Sequence, residues 1–185
     1  MGFRMLRTAA ALVTVLLLAG CVPREPVITP EPDPASTPVF ASDEEALAAA
    51  TEAYARYLEV SDQIAQDGGE GADRMKGLVS PEQYEKELEG FQMFVDEGIH
   101  AVGRSKFDSV SMQSWVESDA GVADVTIYAC SDASGVRVFD SKGIDVTPTN
   151  RPERSPFELQ FISQSGVGGK LILSRSELWS GADFC

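Results

Sequence analysis

The sequence is poor in the residues that most chemistry needs. It has one histidine, His100, and three cysteines in 185 residues. A single histidine cannot build a histidine-based metal site, and no two cysteines have zinc or C-x-x-C spacing. No G-x-S-x-G segment occurs to seat a nucleophilic serine. The glycines of Gly166–Lys170 do not have phosphate-loop spacing and read as a hairpin turn. Positive charge is also scarce, with 15 Lys and Arg against 29 Asp and Glu, a net charge of −14. Such a balance excludes a nucleic-acid partner and repels anionic headgroups. No cofactor and no metal are expected.

What is present begins at the N-terminus. Arg4 and Arg7 precede an apolar run from Thr8 to Leu18, which Leu18-Ala19-Gly20-Cys21 ends. A basic start, a short apolar run and small residues form a secretory signal over residues 1–20, and the run is shorter than the ~20 residues of a membrane span. Leu18–Cys21 resembles the lipobox of bacterial lipoproteins. The resemblance implies cleavage after Gly20, diacylglycerol on the Cys21 thiol and an acyl chain, such as palmitate, on the new amine. Two or more chains anchor stably where one does not. The chain is then expected outside the cytoplasm on the outer face of the plasma membrane, or in the outer membrane of a cell that has one. Loss of residues 1–20 removes Arg4 and Arg7. Thirteen Lys and Arg then face 29 Asp and Glu, a net −16, so the lipid must supply the membrane association.

Residues 21–41 read as a lipidated tether. Pro23, Pro26, Pro30, Pro32, Pro34 and Pro38 forbid helix and central strand. As a polyproline-II spacer it reaches ~60 Å at ~3.1 Å per residue. Residues 42–185 are expected to form one domain. With Cys21 lipidated, Cys130 and Cys185 remain, and an even pair in an exported domain predicts a disulfide.

Within the domain, Ser42 and Glu45 form a capping box. Leu47, Ala50, Tyr54, Tyr57, Leu58, Ser61 and Ile64 then step by threes and fours, predicting a helix that Gly68-Gly69 stops. A short helix is expected over 72–79. Ser80-Pro81-Glu82-Gln83 starts another, with Tyr84, Leu88, Phe91 and Val95 inward and His100 near its end. From Val110 the period becomes two. Val110, Met112, Ser114 and Val116 are expected on one face with Ala123, Val125, Ile127 and Ala129, and Val136–Phe139 as the return strand. Phe157–Ile162 and Lys170–Leu178 complete an antiparallel sheet. Helices followed by such a sheet give an α+β class.

Tyr128-Ala129-Cys130-Ser131-Asp132, Ser134-Gly135-Val136-Arg137-Val138 and Trp179–Cys185, with this element order, resemble small lipid-anchored members of the nuclear transport factor 2-like superfamily. The resemblance implies N-terminal helices packed on a curved antiparallel sheet, a cone-like, cystatin-like roll. It further implies an apolar pocket inside the cone and pairing of two copies through the outer sheet face. Enzymes of that fold, isomerases and dehydratases, place Asp, His or Tyr inside the cone. None of the predicted inward strand positions is ionisable.

Tyr57, Tyr84, Phe91, Phe94 and Trp115 are either core or the lining of that pocket. Asp43–Glu45 and Glu82–Glu89 read as solvated helix faces, and Arg151 and Arg154 as loop arginines with the charge to bind an anion. The function expected is a lipid-anchored, non-enzymatic module binding a small apolar ligand or an envelope protein; the alternative is an isomerase- or dehydratase-like enzyme. A transporter's substrate-binding lipoprotein would need two lobes, for which the domain is short.

Overall fold

The computed structural model describes residues 38–164 and 169–185. The signal segment 1–20, Cys21, the tether up to residue 37 and the Gly166–Gly168 part of the predicted turn lie outside the described residues.

Helix α1 spans Asp43–Gln66. The Ser42 hydroxyl accepts from the Glu45 amide at 3.3 Å, and the Glu45 carboxylate reaches back to the Ala41 amide at 2.7 Å. Both bonds satisfy donors that the first turn leaves free. Ala46, Ala50 and Ala53 are buried and let the helix approach the sheet closely, while Tyr54 and Ile64 fill the space beyond. The chain leaves the helix through Gly68-Gly69. A Cβ on Gly69 would lie 2.2 Å from the carbonyl oxygen of Phe91, so glycine is what lets the two helices meet there.

A 3-10 turn over Ala72–Met75 buries Met75. Helix α2, Pro81–Glu97, starts at Ser80, whose hydroxyl accepts from the Gln83 amide at 3.2 Å, and ends on left-handed Gly98. Its inward stripe differs from the predicted one. Gln83 and Phe91 are buried and Glu87 and Phe94 half-buried, whereas Val95 is 40% exposed. Steps of four, four and three put Gln83, Glu87, Phe91 and Phe94 on one face.

Four strands form the main antiparallel sheet in the order β2 (Lys106–Glu117), β3 (Ala123–Asp132), β5 (Arg154–Ser163), β6 (Leu171–Leu178). Ala123, Val125, Ile127 and Ala129 point inward as predicted and are fully buried. Val125 pairs with Phe161, and Ile127 with Leu159. With Leu171 and Leu173 of β6 they form the core under α1. Full burial of each large side chain stabilises the fold by ~1.5–3 kcal/mol.

Strand β2 departs from the predicted alternation. Its register with β3 shifts between Asp108 and Ser111 and again between Met112 and Ser114. Each extra residue reverses the facing of the residues after it. Phe107, Val110, Met112 and Trp115 consequently pack on the core, Ser114 is exposed and Val116 is 65% exposed. Ser109, at the first irregularity, has a φ of 54°.

Two further strands form a separate ribbon. β1, Ile99–Val102, pairs antiparallel with β4, Arg137–Asp140. β4 is therefore not the return strand of β3, and His100 lies in a strand rather than at a helix end. β1 leads into β2, and β3 leads into β4. The ribbon thus prolongs the β2–β3 pair beyond a corner at residues 103–105 and 133–136. At that corner Gly103 has a φ of 105°, and a Cβ on it would meet the carbonyl oxygen of Gly135 at 1.9 Å.

The segment ahead of α2 guards one sheet edge: Ser80 N–H donates to the Leu173 carbonyl and Leu173 N–H to that of Leu78. Phe40, inside the stretch expected to be spacer, is buried and meets Trp115 edge to face with ring centres 5.8 Å apart. At the other end of the chain, Trp179 N–H donates to the Pro156 carbonyl. The Trp179 and Phe184 rings cover Tyr128 at 4.8 and 5.9 Å. A Cys130–Cys185 disulfide, with 5.4 Å between the α-carbons, holds this segment on the outer face. Such a bond fits an extracytoplasmic compartment.

Candidate functional site

A cleft of about 310 Å³ opens between α2, the end of α1 and the β1–β4 ribbon. Its walls are built by the elements above. Helix α2 contributes Phe91, Met93 and Phe94, and the ribbon and its corner contribute Ala101, Val136 and Val138. Ser61, Asp62, Glu87, Ser105 and Arg151 supply its polar groups.

Three of these polar groups are committed to holding the fold. Asp62 accepts from both the amide and the hydroxyl of Ser105, each at 2.8 Å, which fixes the ribbon corner to α1. The Arg151 guanidinium donates to the carbonyls of Ala133 at 3.1 Å and Val136 at 2.8 Å. Arg154, the other loop arginine, lies on the outer side. It makes a two-pronged contact with Asp108 at 2.8 and 2.9 Å and a third bond to Asp132 at 3.2 Å. Arg154 is thus matched by two carboxylates, whereas Arg151 meets uncharged carbonyls from one nitrogen, Nη2.

Glu87 differs. Its Oε1 accepts from the Tyr57 hydroxyl at 2.9 Å and from the Gln83 amide nitrogen at 2.8 Å, while its Oε2 has no partner among the described residues. Gln83 is 4% exposed, and its Oε1 is buried without a partner. The amide orientation that feeds Glu87 leaves that oxygen unsatisfied; the reverse would set it against a carboxylate. Burial, and then the negative charge of Glu87 and the bond to it, push the Tyr57 hydroxyl well above its ordinary pKa. Burial also pushes Tyr54 up to about 12, partly offset by a hydrogen bond with Ser131. Tyr57 stacks on Tyr54 at 5.9 Å, which makes the two phenols a stiff support behind Glu87.

Of the five aromatic residues singled out from the sequence, the cleft brings Phe91 and Phe94 together. Tyr57 reaches its polar end through Glu87. Tyr84 packs elsewhere, with the Lys76 ammonium 5.7 Å from its ring centre. Trp115 sits at the start of α1 and donates from its indole nitrogen to Asp43 at 2.7 Å. His100 lines a different, shallower recess with Gln66, Val102, Gly103 and Arg104, its ring 6.1 Å from that of Phe139. Sequence reasoning missed Glu87, because Glu82–Glu89 reads as a solvated acidic face. The signal that could have found it is its spacing, four residues before Phe91 and seven before Phe94.

Among the described residues, no group of acidic, histidine or cysteine side chains has metal-binding geometry, and no helix is long and apolar enough to cross a membrane. No protein-family model matches the chain, and neither does any curated protein sequence. Solved structures do match in shape. The intermembrane-space region of the chloroplast protein ARC6 aligns with 73% of this chain and 97% of its own, at 7% identity and a TM-score of 0.53. A periplasmic fragment of TraM covers 75% and 98% at 10% identity and 0.46. Aln2 from a Streptomyces species covers 75% and 92% at 20% identity and 0.40. At these identities the likeness is one of fold.

Proposed function

We propose that this chain is an extracytoplasmic module, exported by residues 1–20 and anchored by lipid on Cys21, whose domain binds a small, largely apolar ligand in the cleft between α2 and the β1–β4 ribbon. The observation that carries the reading is the make-up of that cleft. It has aromatic and aliphatic walls from two elements, and polar groups that are mostly spent on holding the walls in place. Its volume is at the small end of the range of ligand pockets. Binding without turnover is the simpler reading. Asp62 and Arg151 hold neighbouring elements, His100 stands outside the cleft, and the partners of Glu87 among the described residues are Tyr57 and Gln83.

The outer sheet face is mixed in character, with Val116 65% exposed beside Asp124. Gln160 there donates to Asp124, Arg175 to Glu158, and Tyr128 is covered by the C-terminal rings.

Native mass spectrometry of the exported Cys21→Ser chain tests ligand binding. One copy carrying a small-molecule adduct is the expected result, and a bare protein that binds no member of an apolar fragment set refutes it. The anchor is read separately. Labelled palmitate should enter the unaltered chain and not the Cys21→Ser variant, and equal labelling of the two would remove Cys21 from the reading.

A further inference from the structure

Resting on that reading, we infer that the ligand is an amphipathic organic cation, with an ammonium group seated on Glu87 and an apolar body against Phe91 and Phe94. The cleft holds three charged side chains, two carboxylates and one guanidinium, and the excess of negative charge favours a cation. Arg151 offers the one positive charge, and its Nη2 donates to the Ala133 and Val136 carbonyls, which ties the guanidinium to the ribbon corner. Both oxygens of Asp62 already accept from Ser105. Glu87 alone keeps an unpartnered oxygen, Oε2.

The other oxygen of Glu87 is fixed by two donors, Tyr57 and Gln83, so the carboxylate is held in one orientation before any ligand arrives. Such preorganisation reduces the ordering cost of binding. Gln83, nearly fully buried, gives up satisfaction of its own Oε1 to hold Glu87. A buried oxygen left without a partner is costly, and here that cost accompanies the bond that fixes the Glu87 carboxylate at the edge of the cleft. Phe91 and Phe94 follow Glu87 by four and seven residues on the same helix face, so an ammonium at Oε2 also meets aromatic rings. Carboxylate and aromatic faces together select an organic cation over a neutral or anionic molecule of the same shape. The surplus of acidic residues across the chain draws cations toward it as well.

The test uses three probes of one shape, 4-phenylbutylamine, 4-phenylbutanol and 4-phenylbutyrate, titrated by calorimetry at pH 7 into the exported Cys21→Ser chain. The amine should bind about tenfold or more tighter than the alcohol, and the acid more weakly than either. Glu87→Gln keeps an acceptor for Tyr57 and should bring the amine down to the level of the alcohol while leaving the alcohol unchanged. Phe94→Ala should weaken both, the amine more than the alcohol. Equal binding of amine and alcohol, or an amine preference that survives Glu87→Gln, overturns the cationic ligand while leaving an apolar-ligand cleft standing. Binding of none of the three overturns the inference together with the reading beneath it.

Discussion

Removing the Cys130–Cys185 cross-link tests how the domain is held together. The two cysteines are separated by 55 positions. In the chain-entropy model a loop of that length restricts the unfolded chain enough to stabilise the folded one by about 4 kcal/mol. Native contacts of the C-terminal segment add little: one backbone bond from Trp179 to Pro156 and the rings over Tyr128. Cys130 itself is fully buried, so alanine there leaves a small void worth about 1 kcal/mol more. Urea unfolding with an m-value of about 2 kcal/mol/M should show a midpoint about 2.5 M lower in the Cys130→Ala/Cys185→Ala variant. Wild-type protein reduced with dithiothreitol keeps both sulfurs and should fall almost as far. The m-value should rise in both, because a chain without the cross-link expands further on unfolding. A midpoint shift under about 0.5 M, equivalent to ~1 kcal/mol at that m-value, would refute the reasoning. So would quantitative thiol labelling of native protein without reductant.

Four other outcomes rest on the same packing and charges. Phe91→Ala empties a buried site and should cost ~3–4 kcal/mol by urea unfolding, with the half-buried Phe94→Ala costing clearly less. Trp115→Phe removes the indole donor to Asp43 and should cost ~1 kcal/mol; no change in the urea midpoint would make that bond idle. Tyr54 and Tyr57 bind their protons more tightly folded than unfolded, so they stabilise below the ordinary tyrosine pKa and lose that effect as pH rises through the folded value. Absorbance at the phenolate band should therefore lack their share at pH 11 until the domain unfolds. Asp108 is held low by its hydrogen bonds with Arg154, and Asp132 by those with Ser134 and then by Arg154. Their support is present above the ordinary aspartate pKa and is lost as pH falls through the lowered values. The acid limb of stability against pH should be shallower in Arg154→Met, and an unchanged limb would dismiss the pairs.

The sequence makes plain whatever repeats with a period. Ser42, Ser80 and Pro81 mark both helix starts, and alternation along Ala123–Ala129 sets the inner face of β3 correctly. Cys130 and Cys185 pair as composition suggests. What escapes sequence reading is what breaks a period or acts at long range. Two inserted residues in β2 exchange Ser114 and Val116 for Trp115, and nothing local marks where a bulge falls. β1 is four residues long, too short for alternation to register, and it borrows its identity from β4 nearly forty positions away. Glu87 reads as solvent-facing because its donors come from the previous helix and the previous turn. Its role exists only once α1 has brought Tyr57 within 2.9 Å.

The ribbon corner gives the cleft a mechanical character of its own. One wall of the cleft stands on the prolonged part of the β2–β3 pair, past Gly103 and Gly135, while the core under α1 is built from β3, β5 and β6. A change of bend at that corner widens or narrows the cleft without disturbing Ile127, Leu159 or Phe161. Three side chains brace the corner: Asp62 accepts from Ser105, Gln66 donates to the Gly103 carbonyl, and Arg151 donates to the carbonyls of Ala133 and Val136. For the ligand proposed above, loosening those bonds should change the rate of entry and exit while leaving the core beneath α1 intact.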